Sequence, residues 1–248
     1  MIALYKNILE GASVSASSES VLFPLSNLDD DKLVKFSRIA GGNQSIVFDL
    51  DSEKSFDAIA CAGWNLSSLT LEASNDATFA SAIASVTVPK VYDHPDTGSV
   101  ISSVWFDKTT ARYVRLSMTG STVKDFGKIM LGTMTEFPYM DAKQKMSFST
   151  TKKPVRAKGG CLYRGASGYK AREQEISFPE FDDNGVLLFK DLWDTVGNYR
   201  PFFSVVWDDK QNVFPMLYGA LDQDKIDIDR TDYKLLPFTT KIKLEECF

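Results

Sequence analysis

"ARYVRLSM", residues 111–118, alternates apolar and polar side chains and is rich in residue types that favour strands. Ala111, Tyr113, Val114, Leu116 and Met118 are its apolar positions, interleaved with Arg112, Arg115 and Ser117. A regular strand sends the neighbours Tyr113 and Val114 to opposite faces, so burying both requires a bulge or two-sided burial. Segments of the same kind recur on either side: "QSIVFDL" (44–50), "FDAIACAGW" (56–64), "SLTLEAS" (68–74), "SVTVPKVY" (85–92), "SVISSVWF" (99–106) and "FGKIMLGTM" (126–134). The breakers "SND", "HPDTG" and "MTGST" separate them. Short strands at this spacing predict an antiparallel sandwich or jelly roll, with residues 111–118 as a closing strand.

Beyond residue 135 the rhythm changes. "TEFPYMDAKQKMSFSTTKKPV" (135–155) carries two prolines and reads as a junction, dividing a sandwich over 1–138 from a smaller unit over 139–248. In that unit "EQEISF" (173–178), "RPFFSVVWD" (200–208), "NVFPMLYGAL" (212–221), "KIDID" (225–229) and "FTTKIKLEE" (238–246) read as strands. "DDNGVLLFKDLWDTVGN" (182–198) places Leu188, Leu192, Trp193 and Val196 at helical spacing. One helix is predicted over about 184–197, with Asp182, Asp183 or Asn184 capping its start and Gly197 or Asn198 its end. The predicted class is mainly β: a jelly-roll sandwich followed by a β-rich domain with one helix.

The 248 residues are 44% hydrophobic and 25% charged, the balance of a globular chain, and no run has the length of a membrane span. The start of the chain lacks a basic segment followed by an apolar one, so no signal peptide is expected. Cys61, Cys161 and Cys247 are odd in number and far apart, which argues for core thiols over a disulfide framework or zinc site. His94, in the loop sequence "YDHPDTG", is the single histidine. No GxSxG, HExxH or Walker-type phosphate loop occurs, and no pair of acids stands out, so the chain reads as non-enzymatic.

The net charge of −5 is unevenly distributed. Residues 150–172 contain Lys152, Lys153, Arg156, Lys158, Arg164, Lys170 and Arg172 and no acidic residue. Residues 173–248 carry 8 basic and 16 acidic side chains, a balance of −8. An acidic chain with few aromatics in its basic stretch is not built for nucleic acid. The seven basic residues are candidates for contact with the acidic unit of a neighbouring copy, in a head-to-tail arrangement; the competing reading is a solvated loop.

"NILEGASVSASSES", "FPLSNLDDDKLVKFSR", the 45–74 region and "ARYVRLSM" followed by "FGKIMLG" together resemble the galactose-binding-like sandwich family, which includes discoidin and coagulation-factor type C domains. The resemblance covers about residues 1–135. "FGKIMLGTMTEFPYMD", "YRPFFSVVWDD", "YGAL" and "TTKIKLEE" are similar to tail or baseplate proteins of tailed bacteriophages. These resemblances imply a structural virion protein, assembled in a host cytoplasm, whose partners are copies of itself and neighbouring tail proteins. The alternative they leave open is a protein that binds cell-surface glycans.

For glycan binding the candidates are Trp64, Asn65, Tyr92, His94 and Arg112, which offer aromatic faces and polar groups; Trp64 reads equally as core packing. Asp29, Asp30 and Asp31 lie where related sandwiches carry a structural calcium loop, and read equally as a turn and cap cluster. No other cofactor is expected.

Overall fold

The computed structural model describes residues 1–33, 35–41, 43–65, 68–93, 100–119, 123–140, 145–150, 155–156, 162–163, 170–205, 216–230 and 238–247. In chain order its strands begin with β1 (Ile2–Leu4), β2 (Ser13–Ala16), β3 (Ser37–Ala40), β4 (Gln44–Trp64), β5 (Ser68–Ser74), β6 (Ala84–Thr87) and β7 (Lys90–Asp93). They continue with β8 (Val100–Thr119), β9 (Val123–Phe126), β10 (Lys128–Gly132), β11 (Thr135–Glu136), β12 (Lys145–Thr150), β13 (Val155–Arg156) and β14 (Leu162–Tyr163). The last are β15 (Lys170–Phe181), β16 (Phe202–Val205), β17 (Leu217–Leu221), β18 (Ile228–Arg230) and β19 (Phe238–Glu246), with the helix α1 (Asp183–Val196) between β15 and β16.

β4 and β8, of 21 and 20 residues, pair antiparallel from Gln44–Met118 to Trp64–Val100. "QSIVFDL" and "FDAIACAGW" are therefore one strand, and so are "SVISSVWF" and "ARYVRLSM"; irregularities between them are absorbed as bulges. Opposite Ala111–Tyr113, β4 bulges between Asp49 and Lys54, with Asp51 at φ 65°. The buried positions of β8 change phase there, from Ala111 to Val114, Leu116 and Met118. Tyr113 is half-buried on the opposite face from Val114, so the bulge lies in the partner strand. The segment expected to close the sandwich is central in its sheet, flanked by β4 and β5.

That sheet runs β10-β4-β8-β5-β6, with β2 added on β4 and β7 on β8. Both halves of the long strands line one core, which gathers Ile46, Phe48, Phe56, Ile59, Leu116 and Leu131. The ribbon β3–β9 contributes Ile39 and Phe126 to it. At the end of β4, Gly63 has φ 71° and the Gly127 amide donates to the Ala62 and Gly63 carbonyls at 3.2 and 2.9 Å. A Cβ at Gly63 would lie 3.2 Å from Gly127 Cα, so the backbone angle favours glycine and the approach leaves little room for a side chain.

The second sheet runs β11-β1-β16-β17-β19-β15-β12, with β18 on β19. β1 comes from the first residues of the chain yet pairs with β16 of the second half. The helix covers one face through Phe189, Leu192 and Val196, packed with Phe178, Phe181 and Ile242. It starts as expected, with the Asp182 carboxylate accepting the Gly185 amide at 3.0 Å, and ends at Gly197, φ 55°. On the other face Leu4, Phe203, Met216 and Tyr218 meet Ala58, Ala60 and Ala62 of β4. "AIACA" is thus buried on both faces: Ile59 and Cys61 point into the sandwich core, and the small alanines let the second sheet approach.

The fold is mainly β, with a sandwich, a second β-rich layer and one helix over it. No helix among the described residues is long and apolar enough to cross a membrane.

Candidate functional site

Where Val114, Leu116 and Met118 of β8 point inward, Arg115, Ser117 and Thr119 point outward. Register aligns them with polar residues of the neighbouring strands. Ser117 lies opposite Ser45 of β4 on one side and Thr70 of β5 on the other, and Thr70 lies opposite Thr87 of β6. A hydroxyl row, Ser45–Ser117–Thr70–Thr87, crosses four adjacent strands. The next position along β8 pairs Thr119 with Ser68, whose hydroxyls hydrogen-bond at 2.5 Å. Ser45, Ser68, Thr70, Ser117 and Thr119, with Ser17, Asn43 and Gln44, line an open groove of about 410 Å³, and Thr87 continues the row beyond it. The Ser17 hydroxyl donates to Gln44 Oε1 at its edge.

Among the described residues lining the groove, Arg115 is the charged one. Its Nε donates to Glu72 Oε2 at 2.8 Å and a terminal nitrogen to Oε1 at 3.1 Å. Ser117 donates to the same carboxylate at 2.9 Å. The Arg115 hydrogen bonds hold the Glu72 carboxyl below its usual range, with Ser117 assisting. The guanidinium also stacks on the Phe79 ring, its carbon 4.4 Å from the centroid. The groove therefore offers neutral hydroxyl and amide groups on a rigid sheet, beside a cation already matched by a carboxylate.

The sequence candidates fall elsewhere. Trp64, Asn65 and Tyr92 gather near one end of the sheet, because Trp64 pairs with Val100 and Tyr92 with Ile101. Trp64 is 2% exposed, with the Lys90 ammonium 5.7 Å from its ring centre; its indole N–H has no hydrogen-bond partner among the described residues. Asn65 accepts the Asp125 amide at 2.9 Å. Tyr92 is described in its backbone alone, and His94 lies outside the described residues. Arg112 stands far along β8 and forks onto Asp49 at 2.8 and 2.9 Å, which holds that carboxyl below its usual range.

The aspartate loop is organised around an ammonium group. Lys128, 2% exposed, donates to Asp31 Oδ1 at 2.8 Å and to the Asp29 carbonyl at 3.3 Å. The Tyr218 hydroxyl donates to the Asp31 carbonyl at 3.0 Å, tying the loop to the second sheet. Asp30 turns aside to Lys35 at 2.7 Å, and that hydrogen bond lowers its pKa. Among the described residues no three His, Cys, Asp or Glu side chains converge as a metal site.

Of the basic stretch, Lys152, Lys153, Lys158 and Arg164 lie outside the described residues, and Arg156 and Lys170 are described in their backbone alone. Arg172 is interior, paired with Glu246. Cys61 is buried, which pushes its thiol pKa up; burial of Cys247 raises its thiol to about 11; Cys161 lies outside the described residues.

The groove is not legible in the sequence because its residues come from four segments, each showing only ordinary polar alternation. "SLT" and "RLSMT" identify outward positions, but nothing in them says which hydroxyls stand side by side.

No family model matches the chain, and no curated protein matches it. Solved structures similar to it include the CBM32 of AlyQ in complex with 4,5-unsaturated mannuronic acid, at 24% identity and TM-score 0.40, covering 51% of this chain and 95% of that one. Another is chitosan-binding module 1 of a chitosanase/glucanase from Paenibacillus sp. IK-5, at 24% identity and TM-score 0.40, covering 51% of this chain and 98% of the module. A third is a Streptococcus pneumoniae fucose binding module, at 14% identity and TM-score 0.42, covering 52% of this chain and 95% of that one. At these values the likeness carries no functional weight.

Proposed function

We propose that this chain is a non-catalytic glycan-binding protein that presents the outer face of its sandwich to cell-surface carbohydrate. The observation that carries this reading is the hydroxyl row Ser45–Ser117–Thr70 across β4, β8 and β5, with the Gln44 and Asn43 amides in the same groove. Sugar recognition needs many neutral donors and acceptors held in fixed positions, and strand residues hold them better than loops do. The second sheet backs the sandwich on its alanine face, and none of its described residues lines the groove. The tail or baseplate role expected from the sequence finds no support, and the groove favours the glycan-binding alternative.

A panel of immobilised glycans probed with the whole chain tests the proposal. Retention on some glycans is expected, with loss in Thr70→Lys, which extends a long charged side chain over the groove. Near-ultraviolet circular dichroism shows that the variant is folded. Absence of retention across the panel overturns the reading.

A further inference from the structure

Resting on that reading, we infer that the groove takes an extended, neutral oligosaccharide chain lying across the strands, rather than a single terminal sugar or an anionic one. The first ground is spacing. Directly paired residues on adjacent strands repeat at about 4.8 Å, so Ser45, Ser117 and Thr70 span about 10 Å of the groove and Thr87 beyond it extends the row to about 14 Å. That repeat is close to the rise per residue of an extended pyranose chain, so successive sugars meet successive hydroxyls.

The second ground is charge. Arg115 is the cation lining the groove, and its fork is spent on Glu72. A carboxylated sugar would have to compete with a bidentate partner already in place, whereas a neutral chain meets Ser, Thr, Asn and Gln groups with no charge to desolvate. The third is the lack of an aromatic platform: none of the described residues lining the groove is aromatic. Without a stacking ring to anchor one sugar, binding accumulates from hydrogen bonds along the chain.

Calorimetry with the whole chain tests this, using a neutral cello-oligosaccharide series and a uronic oligosaccharide series of matched lengths, each at low and high salt. The expected result is binding of the neutral series that is insensitive to salt. Affinity should rise about three- to tenfold with each added sugar until the row is filled, the gain from about one net hydrogen bond per residue. Thr70→Val removes a hydroxyl from the middle of the row at nearly constant shape; it should weaken the longest chain severalfold with an unchanged thermal midpoint. Glu72→Gln releases the Arg115 fork and should confer binding of the uronic series that weakens with salt.

A monosaccharide that binds as tightly as the hexasaccharide overturns the inference and leaves the glycan-binding reading intact. So does binding of the uronic series alone by the unmodified chain, or of branched terminal sugars alone on the immobilised panel. The length series is run with the cello-oligosaccharides and with any other neutral linear glycan the panel retains, and failure of all of them to gain affinity with length overturns the inference. If nothing on the panel is retained, the inference and the reading fall together.

Discussion

Arg172 and Glu246 form an ion pair inside the second sheet, with side chains 3% and 2% exposed. Arg172 Nε donates to Glu246 Oε1 at 2.9 Å, and a terminal nitrogen reaches the same oxygen at 2.5 Å. The Arg172 backbone amide donates to Oε2 at 3.1 Å, and the guanidinium also donates to the Met216 carbonyl at 3.1 Å. Glu246→Ala leaves a guanidinium in the interior without its carboxylate, and breaking such a pair costs about 3–5 kcal/mol. For a chain of this size that is a fall in thermal midpoint of roughly 6–20 °C. The double variant Arg172→Met with Glu246→Leu removes both charges and nearly keeps the volume. It should recover most of the loss, because neither charge then remains to be desolvated. Urea unfolding followed by tryptophan fluorescence, run on the wild type, both singles and the double, closes the cycle. A Glu246→Ala loss below about 1 kcal/mol, or a double variant no more stable than the worse single, refutes the reasoning. The same experiment bears on the basic stretch, since it expects substitution of Arg172 to register as lost stability.

Lys128→Met should lower stability measurably, because the Asp29 carbonyl and the Asp31 carboxylate lose the ammonium between them; a chelator or added calcium should leave the midpoint of the wild type unchanged, as calorimetry can check. Asp182→Ala removes the helix N-cap and should cost about 1 kcal/mol in urea unfolding, with Asp182→Asn costing far less. Burial and the hydrogen bond to Asp191 push the Tyr5 phenol up to about 12. Its folded pKa therefore exceeds the unfolded value of about 10, so its contribution is complete below pH 10 and disappears as pH rises towards 12. Ultraviolet titration should show a tyrosine ionising near pH 12 that Tyr5→Phe removes, while Tyr218, which burial pushes higher still, is unaffected.

Much of this architecture follows from local pattern. Period-two apolarity marks the strand segments, and Asp182, Gly197 and the spacing of Leu192 and Val196 mark the helix and its ends, because caps and periodicity are properties of neighbouring residues. The alternation of "RLSM" separates the buried Leu116 and Met118 from the outward Arg115 and Ser117. Tertiary structure decided what depends on register between distant segments. It joined the predicted pairs of short strands into β4 and β8, because a three-residue excess in one strand can be bulged out when its partner holds the ladder on both sides. It drew β1 into the second sheet and buried the alanines of β4 on their outer face. It set Lys128 between Asp29 and Asp31, and Arg172 against Glu246, across separations of 97 and 74 residues. Ser45, Ser117, Thr70 and Thr87 form one row for the same reason: each sequence segment determines which face a hydroxyl takes, and only the pairing of strands determines which hydroxyls stand next to it.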